Sequence, residues 1–190
     1  MPCGIGRVFL DTNVIQALAW LGEWIWDGCE DVTHSRKFET AGDKTQADYL
    51  ALRWLFGLRD GFPFETAASE KSLLEFKKTP SQTKRTELVR YGSGLLDWVD
   101  QTFPPADPTD AERGLGAGIQ SYLTELPDEF DKLLVGEAVA KGCSVFLTLD
   151  RRTIRNRSEA VARLERWTGL RVMRPSELWE HFRPWAGLYL

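Results

Sequence analysis

The stretch from Asp131 to Arg152, DKLLVGEAVAKGCSVFLTLDRR, constrains the fold more than any other part of the chain. Apolar residues fall at Leu134, Val135, Ala138 and Val139, the i+3, i+4, i+7, i+8 pattern of one helical face headed by Asp131. Gly142 is suited to stop that helix, because glycine adopts left-handed backbone geometry without steric cost. Val145-Phe146-Leu147-Thr148-Leu149 then runs short and apolar, as a strand buried on both faces does. The run ends in Asp150. Open α/β sheets place ligand chemistry outside the C-terminal ends of such strands, so Asp131 and Asp150 are expected to face one crevice. The plainer explanation is that Asp131 caps its helix and Asp150 opens a loop.

The beginning of the chain repeats the pattern. Gly6-Arg7 lead into Val8-Phe9-Leu10, an apolar strand closed by Asp11, and Val14, Ile15, Leu18, Leu21 and Ile25 then mark a helical stripe. Thr12 and Asn13 suit the N-cap of that helix. They equally suit a second role, orienting the Asp11 carboxylate with short polar side chains. Two buried strands that each end in aspartate are harder to explain as caps than one.

Residues 27–42 are polar and turn-rich and read as a loop, followed by a helix from about Lys44 to Leu58. Phe64–Ala68 reads as the second strand, and Ser69 caps a short helix to Lys78. Of the acids in that helix, Glu70 lies in the first turn, where the helix dipole explains it. Glu75 has no such local explanation. Helices are expected over 84–100 and 110–126, separated by Phe103-Pro104-Pro105-Ala106-Asp107-Pro108. Gly114, Gly116 and Gly118 mimic a nucleotide-binding loop poorly, since no strand precedes them. A helix near Glu159–Trp167, a strand at Leu170–Met173 and a helix over Ser176–Phe182 complete the chain. The eight tryptophans are expected in the core and in helix packing.

At 190 residues, with 43% hydrophobic and 27% charged residues, the chain is expected to form one domain around one core. No apolar run approaches the roughly 20 residues of a membrane helix, and no leader precedes Asp11. Cys3, Cys29 and Cys143 are an odd number at wide spacing, which fits a reducing cytoplasm better than a disulfide framework or zinc site. His34 and His181 are too isolated to argue for metal. The net charge of -4 hides an asymmetry: from Arg151 to Arg174 there are eight arginines against Glu159 and Glu165 alone. Arg151, Arg152, Arg155 and Arg157 could hold phosphates or form a solvated charged face.

Asp11, Glu75, Asp131 and Asp150 remain as acids without a plain structural explanation. Oxygen-only ligands suit a hard cation such as Mg²⁺ or Mn²⁺. An acidic group at the C-terminal edge of a parallel sheet is what two-metal phosphodiester hydrolysis uses, with ions about 4 Å apart.

Val8-Phe9-Leu10-Asp11-Thr12-Asn13-Val14 resembles the opening motif of the PIN-domain ribonucleases. Asp131 to Ala138, Gly142 and Leu147-Thr148-Leu149-Asp150 resemble that family's closing motif. The middle acid matches Glu75, with Glu70 as its rival. The resemblance implies a three-layer α/β/α sandwich around a mostly parallel sheet, here with helical insertions and an added segment at about 27–60. It implies Mg²⁺- or Mn²⁺-dependent cleavage of RNA, with Asp11, Glu75, Asp131 and Asp150 as metal-binding acids and Asn13 and Thr148 supporting them. Many members of the family are toxins paired with an antitoxin protein, and many form homodimers. A PIN-like module that binds nucleic acid or protein without cutting is the alternative. An aspartate-based phosphatase or receiver fits less well, because position 13 is Asn and Leu149 is followed by Asp150 rather than lysine.

Overall fold

Four short apolar runs, β1 (Arg7–Leu10), β2 (Glu65–Ala67), β3 (Val145–Leu147) and β4 (Arg171–Met173), pair into one all-parallel sheet in the order β2-β1-β3-β4. The structure, a computed structural model, describes residues 5–26, 38–57, 64–103, 123, 126, 128–152 and 158–184. Among the described residues seven helices surround the sheet: α1 (Thr12–Trp26), α2 (Asp43–Phe56), α3 (Lys71–Lys77), α4 (Gln82–Thr102), α5 (Glu129–Ala140), α6 (Ser158–Thr168) and α7 (Pro175–Phe182).

Successive strand residues point to opposite faces, so the strands feed two separate cores. Val8, Leu10, Val145 and Leu147 pack with Ile15 and Leu18 of α1, Leu52 and Leu55 of α2, Leu88 and Leu96 of α4 and Leu178 of α7. Phe9, Ala67, Phe146 and Val172 pack with Leu134, Val135 and Ala138 of α5 and Leu164 of α6. Phe9 and Phe146 are register partners whose rings stack at 5.5 Å. Both are fully buried, which stabilises the fold by roughly 2 kcal/mol each relative to exposure. This arrangement is α/β and compatible with a three-layer α/β/α sandwich.

The strand order determines where chemistry can sit. From β1 the chain passes to β2 on one side, and later enters β3 on the other side of β1. The C-terminal ends of β1 and β3 therefore flank the switch point, the usual ligand crevice of an open parallel sheet. Asp11 N donates to Leu147 O at 3.0 Å there, carrying the ladder one residue past the strand.

Three points left open by the sequence become specific. The helix with Asp131 is capped by Asp128, whose carboxylate accepts from Phe130 N and Asp131 N, so the plain explanation of Asp131 as the cap does not hold. The segment expected as an addition at about 27–60 takes part in the core where it is described. Within it α2 contributes Leu52 and Leu55 to the core, and its Trp54 stacks on Trp179 of α7 at 5.9 Å. The tryptophans divide: Trp24 lies in the core, Trp20 and Trp179 pack against it, Trp54 packs between helices, and Trp26, Trp54, Trp98 and Trp167 are exposed. Amphipathic rings tolerate this at a partly wetted helix face.

Gly142 does terminate α5, with φ 65, and Cys143 N bonds back to Ala138 O. Gly92 of α4 is needed for a different reason. A Cβ there would lie 2.8 Å from Leu73 Cδ2 and 2.9 Å from Phe76 Cε2, so its absence lets α3 approach α4. The expected helix at 110–126 and the proline-rich break fall almost wholly outside the described residues. No described helix is long and apolar enough to cross a membrane.

Candidate active site

Asp11 leaves β1 and turns directly into α1, with Val14 N and Ile15 N bonding to its backbone oxygen. Its side chain is only 3% exposed. A buried carboxylate is costly unless its oxygens are hydrogen-bonded. Thr12 N donates to Oδ1 at 2.7 Å, while Asn13 Nδ2 and Thr148 Oγ1 both donate to Oδ2 at 2.6 Å. Asn13 also accepts from Leu149 N at 2.8 Å, so it bridges β1 to the β3 exit and does not cap α1. The Thr148 hydroxyl gives its one proton to Asp11 and accepts from Asn13 Nδ2 at 3.2 Å and Asp150 N at 2.9 Å. Thr12 Oγ1 is hydrogen-bonded to Ser72 of α3 at 3.0 Å, a buried link that the sequence offered no signal for.

Burial pushes the Asp11 carboxyl up to about 7. The Thr148 hydroxyl opposes this, the charge of Asp131 adds to it, the Thr12 N–H opposes it and the charge of Glu75 adds to it. Asp131 from α5 and Glu75 from α3 thus stand near enough to Asp11 to act on it. Glu70, the rival of Glu75, is exposed and borders a cavity with Ser69 and Lys71. Asp150 is placed by its backbone, through Thr148 Oγ1, and its Oδ1 accepts from Arg152 N at 2.7 Å.

Among the described residues, no three His, Cys, Asp or Glu side chains form a closed ligand set for one ion. Carboxylates at ligand distance repel unless a cation lies between them. Magnesium keeps several waters and takes one or two protein carboxylates, in contrast to the all-protein cages of calcium. Among the described residues Asp11 has no lysine or arginine hydrogen-bond partner, and the charges of Asp131 and Glu75 act on it.

A second buried aspartate shows what an acid with a structural role looks like in this chain. Asp48 of α2 is 1% exposed. Its Oδ2 accepts from Arg174 Nε at 3.0 Å and from Arg174 Nη2, and its Oδ1 accepts from Ser176 N at 3.2 Å and Ser176 Oγ at 2.7 Å. Arg151 reaches the same Oδ2 at 3.4 Å. Of the arginines expected to hold phosphates, Arg151 therefore rests on α2, Arg152 is exposed beside Asp150, and Arg155 lies outside the described residues.

A further polar group lies below the sheet edge. Glu137 of α5 accepts from Ser69 Oγ at 2.6 Å and Lys71 Nζ at 2.9 Å, and pairs with Lys141 at 3.1 Å. Burial would raise its pKa, but these three donors outweigh burial and hold it below the usual range. The sequence gave no reason to single out Glu137. No protein-family model, curated protein or solved structure matches the chain.

Proposed function

We propose that this chain is a divalent-metal-dependent endoribonuclease of PIN-like architecture. One contrast carries the reading. Of two buried aspartates, Asp48 is neutralised by Arg174, whereas Asp11 stands at the β1/β3 switch point with the carboxylates of Asp131 and Glu75 acting on it by charge. A buried acid kept among like charges needs a proton or a cation. The RNA substrate comes from the resemblance of Val8–Val14 and Asp131–Asp150 to PIN-domain motifs.

In this reading Asp11 with one of Asp131 and Glu75 would hold the ion, water would complete its shell, and Asp150 would stand at the β3 exit beside it. Bound Mg²⁺ or Mn²⁺ would supply an activated water and charge stabilisation for phosphodiester hydrolysis. Thr148, Asn13 and the Thr12 N–H keep the Asp11 carboxylate in one orientation and limit the repacking needed on binding.

The absence of a closed three-acid set among the described residues favours a second reading, a PIN-like module that binds RNA or a protein without cutting it. A cleavage assay on structured RNA separates the two. Cleavage with Mn²⁺ that stops in EDTA and in Asp11→Asn supports the nuclease. Binding without cleavage by the wild-type chain supports the module, and full activity in EDTA overturns the metal reading.

A further inference from the structure

Arg151 directly follows Asp150, and among the described residues its guanidinium is held through Nη2. Nη2 lies 3.4 Å from Thr45 Oγ1 and 3.4 Å from Asp48 Oδ2, both on α2. Its Nε and Nη1 have no hydrogen-bond partner among the described residues. The Asp48 charge is already matched by Arg174, whose side chain is 14% exposed against 37% for Arg151. Two guanidinium groups thus share the one Asp48 carboxylate. The more exposed of the two, Arg151, is next to the candidate acid Asp150 in the chain. Long, part-exposed ion pairs contribute little stability, so holding the fold together does not explain Arg151 well. A guanidinium with open donors is suited to phosphate oxygens.

We propose that Thr45 and Asp48 are positioning residues that hold Arg151 by Nη2 beside Asp150 and present its Nε and Nη1 donors to a backbone phosphate of the RNA. Helix α2, in the segment that looks added in the sequence, thereby becomes part of substrate recognition. The inference rests on the ribonuclease reading.

The test is steady-state cleavage of a single-stranded RNA oligonucleotide with Mn²⁺ at several salt concentrations. Wild type is compared with Arg151→Gln, Arg151→Lys and Thr45→Ala, and melting temperatures are recorded for each. Arg151→Gln is expected to raise KM about tenfold with kcat within about twofold, as loss of one charge-assisted contact would. The slope of log kcat/KM against log salt should become shallower by about 0.7, the share of one phosphate contact on a single strand. Arg151→Lys should fall between, and Thr45→Ala should raise KM about threefold, since one of two anchors to a charged group remains. Wild-type KM and salt slope in Arg151→Gln overturn the proposal, as does a fall in kcat and melting temperature with KM unchanged. A wild-type chain that does not cleave overturns the ribonuclease reading itself, and is recognised before any variant is compared.

Discussion

The Thr148 hydroxyl donates to Asp11 Oδ2 at 2.6 Å and accepts the Asp150 N–H at 2.9 Å, so one side chain joins the ends of β1 and β3. Its single donor and both acceptor positions are in use. Thr148→Val keeps the shape and removes all three bonds. The variant is expected to lose about 1–3 kcal/mol in urea unfolding, the cost of buried groups left without partners. Mn²⁺-dependent cleavage should fall about 10–100-fold, as for other groups that orient a metal-binding acid. Thr148→Ser should recover most of both. Unchanged cleavage in Thr148→Val would show that the orientation of Asp11 is irrelevant.

The Asp11 carboxyl gives the metal-free protein a distinctive pH dependence. Its folded pKa, about 7, lies above the ordinary aspartate value of 3.8. The native state therefore binds more protons than the unfolded state between about pH 4 and 7. Stability contributed by this group is present at low pH and is lost as pH rises through 7, by about 4 kcal/mol at 1.36 kcal/mol per pKa unit. Urea unfolding in EDTA across pH 4 to 8 should show this decline, and Asp11→Asn should abolish it. The same slope in both proteins would mean that Asp11 ionises normally.

Adding the cation should reverse that loss. At pH 8, a metal concentration of about 100 times Kd should stabilise the wild-type chain by about 2.7 kcal/mol. EDTA should remove the gain, and Asp131→Asn or Glu75→Gln should reduce it. Glu70→Gln should not. Calorimetric titration with Mn²⁺ gives Kd directly, and equal binding to wild type and Asp131→Asn would exclude Asp131 as a ligand.

Asp48 should behave in the opposite way. Asp48→Ala leaves Arg174 largely buried without its carboxylate, which costs about 3–5 kcal/mol for a broken buried pair. That loss should be insensitive to divalent metal in the melting curve. A variant as stable as wild type would mean that Arg174 finds water or another acceptor.

Gly92→Ala tests the approach of α3 to α4. Alanine favours a helix interior by about 1 kcal/mol. The buried Phe76 ring, however, stands 2.9 Å from the new Cβ. Overpacking of that kind costs about 1–3 kcal/mol, so a net loss of stability is expected by thermal unfolding.

The strands and their terminal acids were legible because a run such as Val8-Phe9-Leu10-Asp11 carries its own signal: apolar residues for burial, then a charge where burial ends. The spacing of Leu134, Val135, Ala138 and Val139 likewise identified α5 and its buried face. Asp128 was missed as the cap because Asp131 also precedes the apolar face, and only backbone geometry decides between them. Asp48 was illegible for a different reason. A lone aspartate in a polar helix looks solvated, and the arginine that buries it lies 126 positions away. The exposed tryptophans escaped for a related reason, since composition counts rings without saying which helix face carries them.

Asp11 and Thr148 are separated by 137 positions along the chain. During translation, therefore, the first aspartate leaves the ribosome long before the hydroxyl that orients it. A nascent chain that ends before Val145 lacks β3 and cannot complete the crevice, however much of its first core has formed. Synthesis itself thus withholds the assembled acid site until the chain has been made past Asp150.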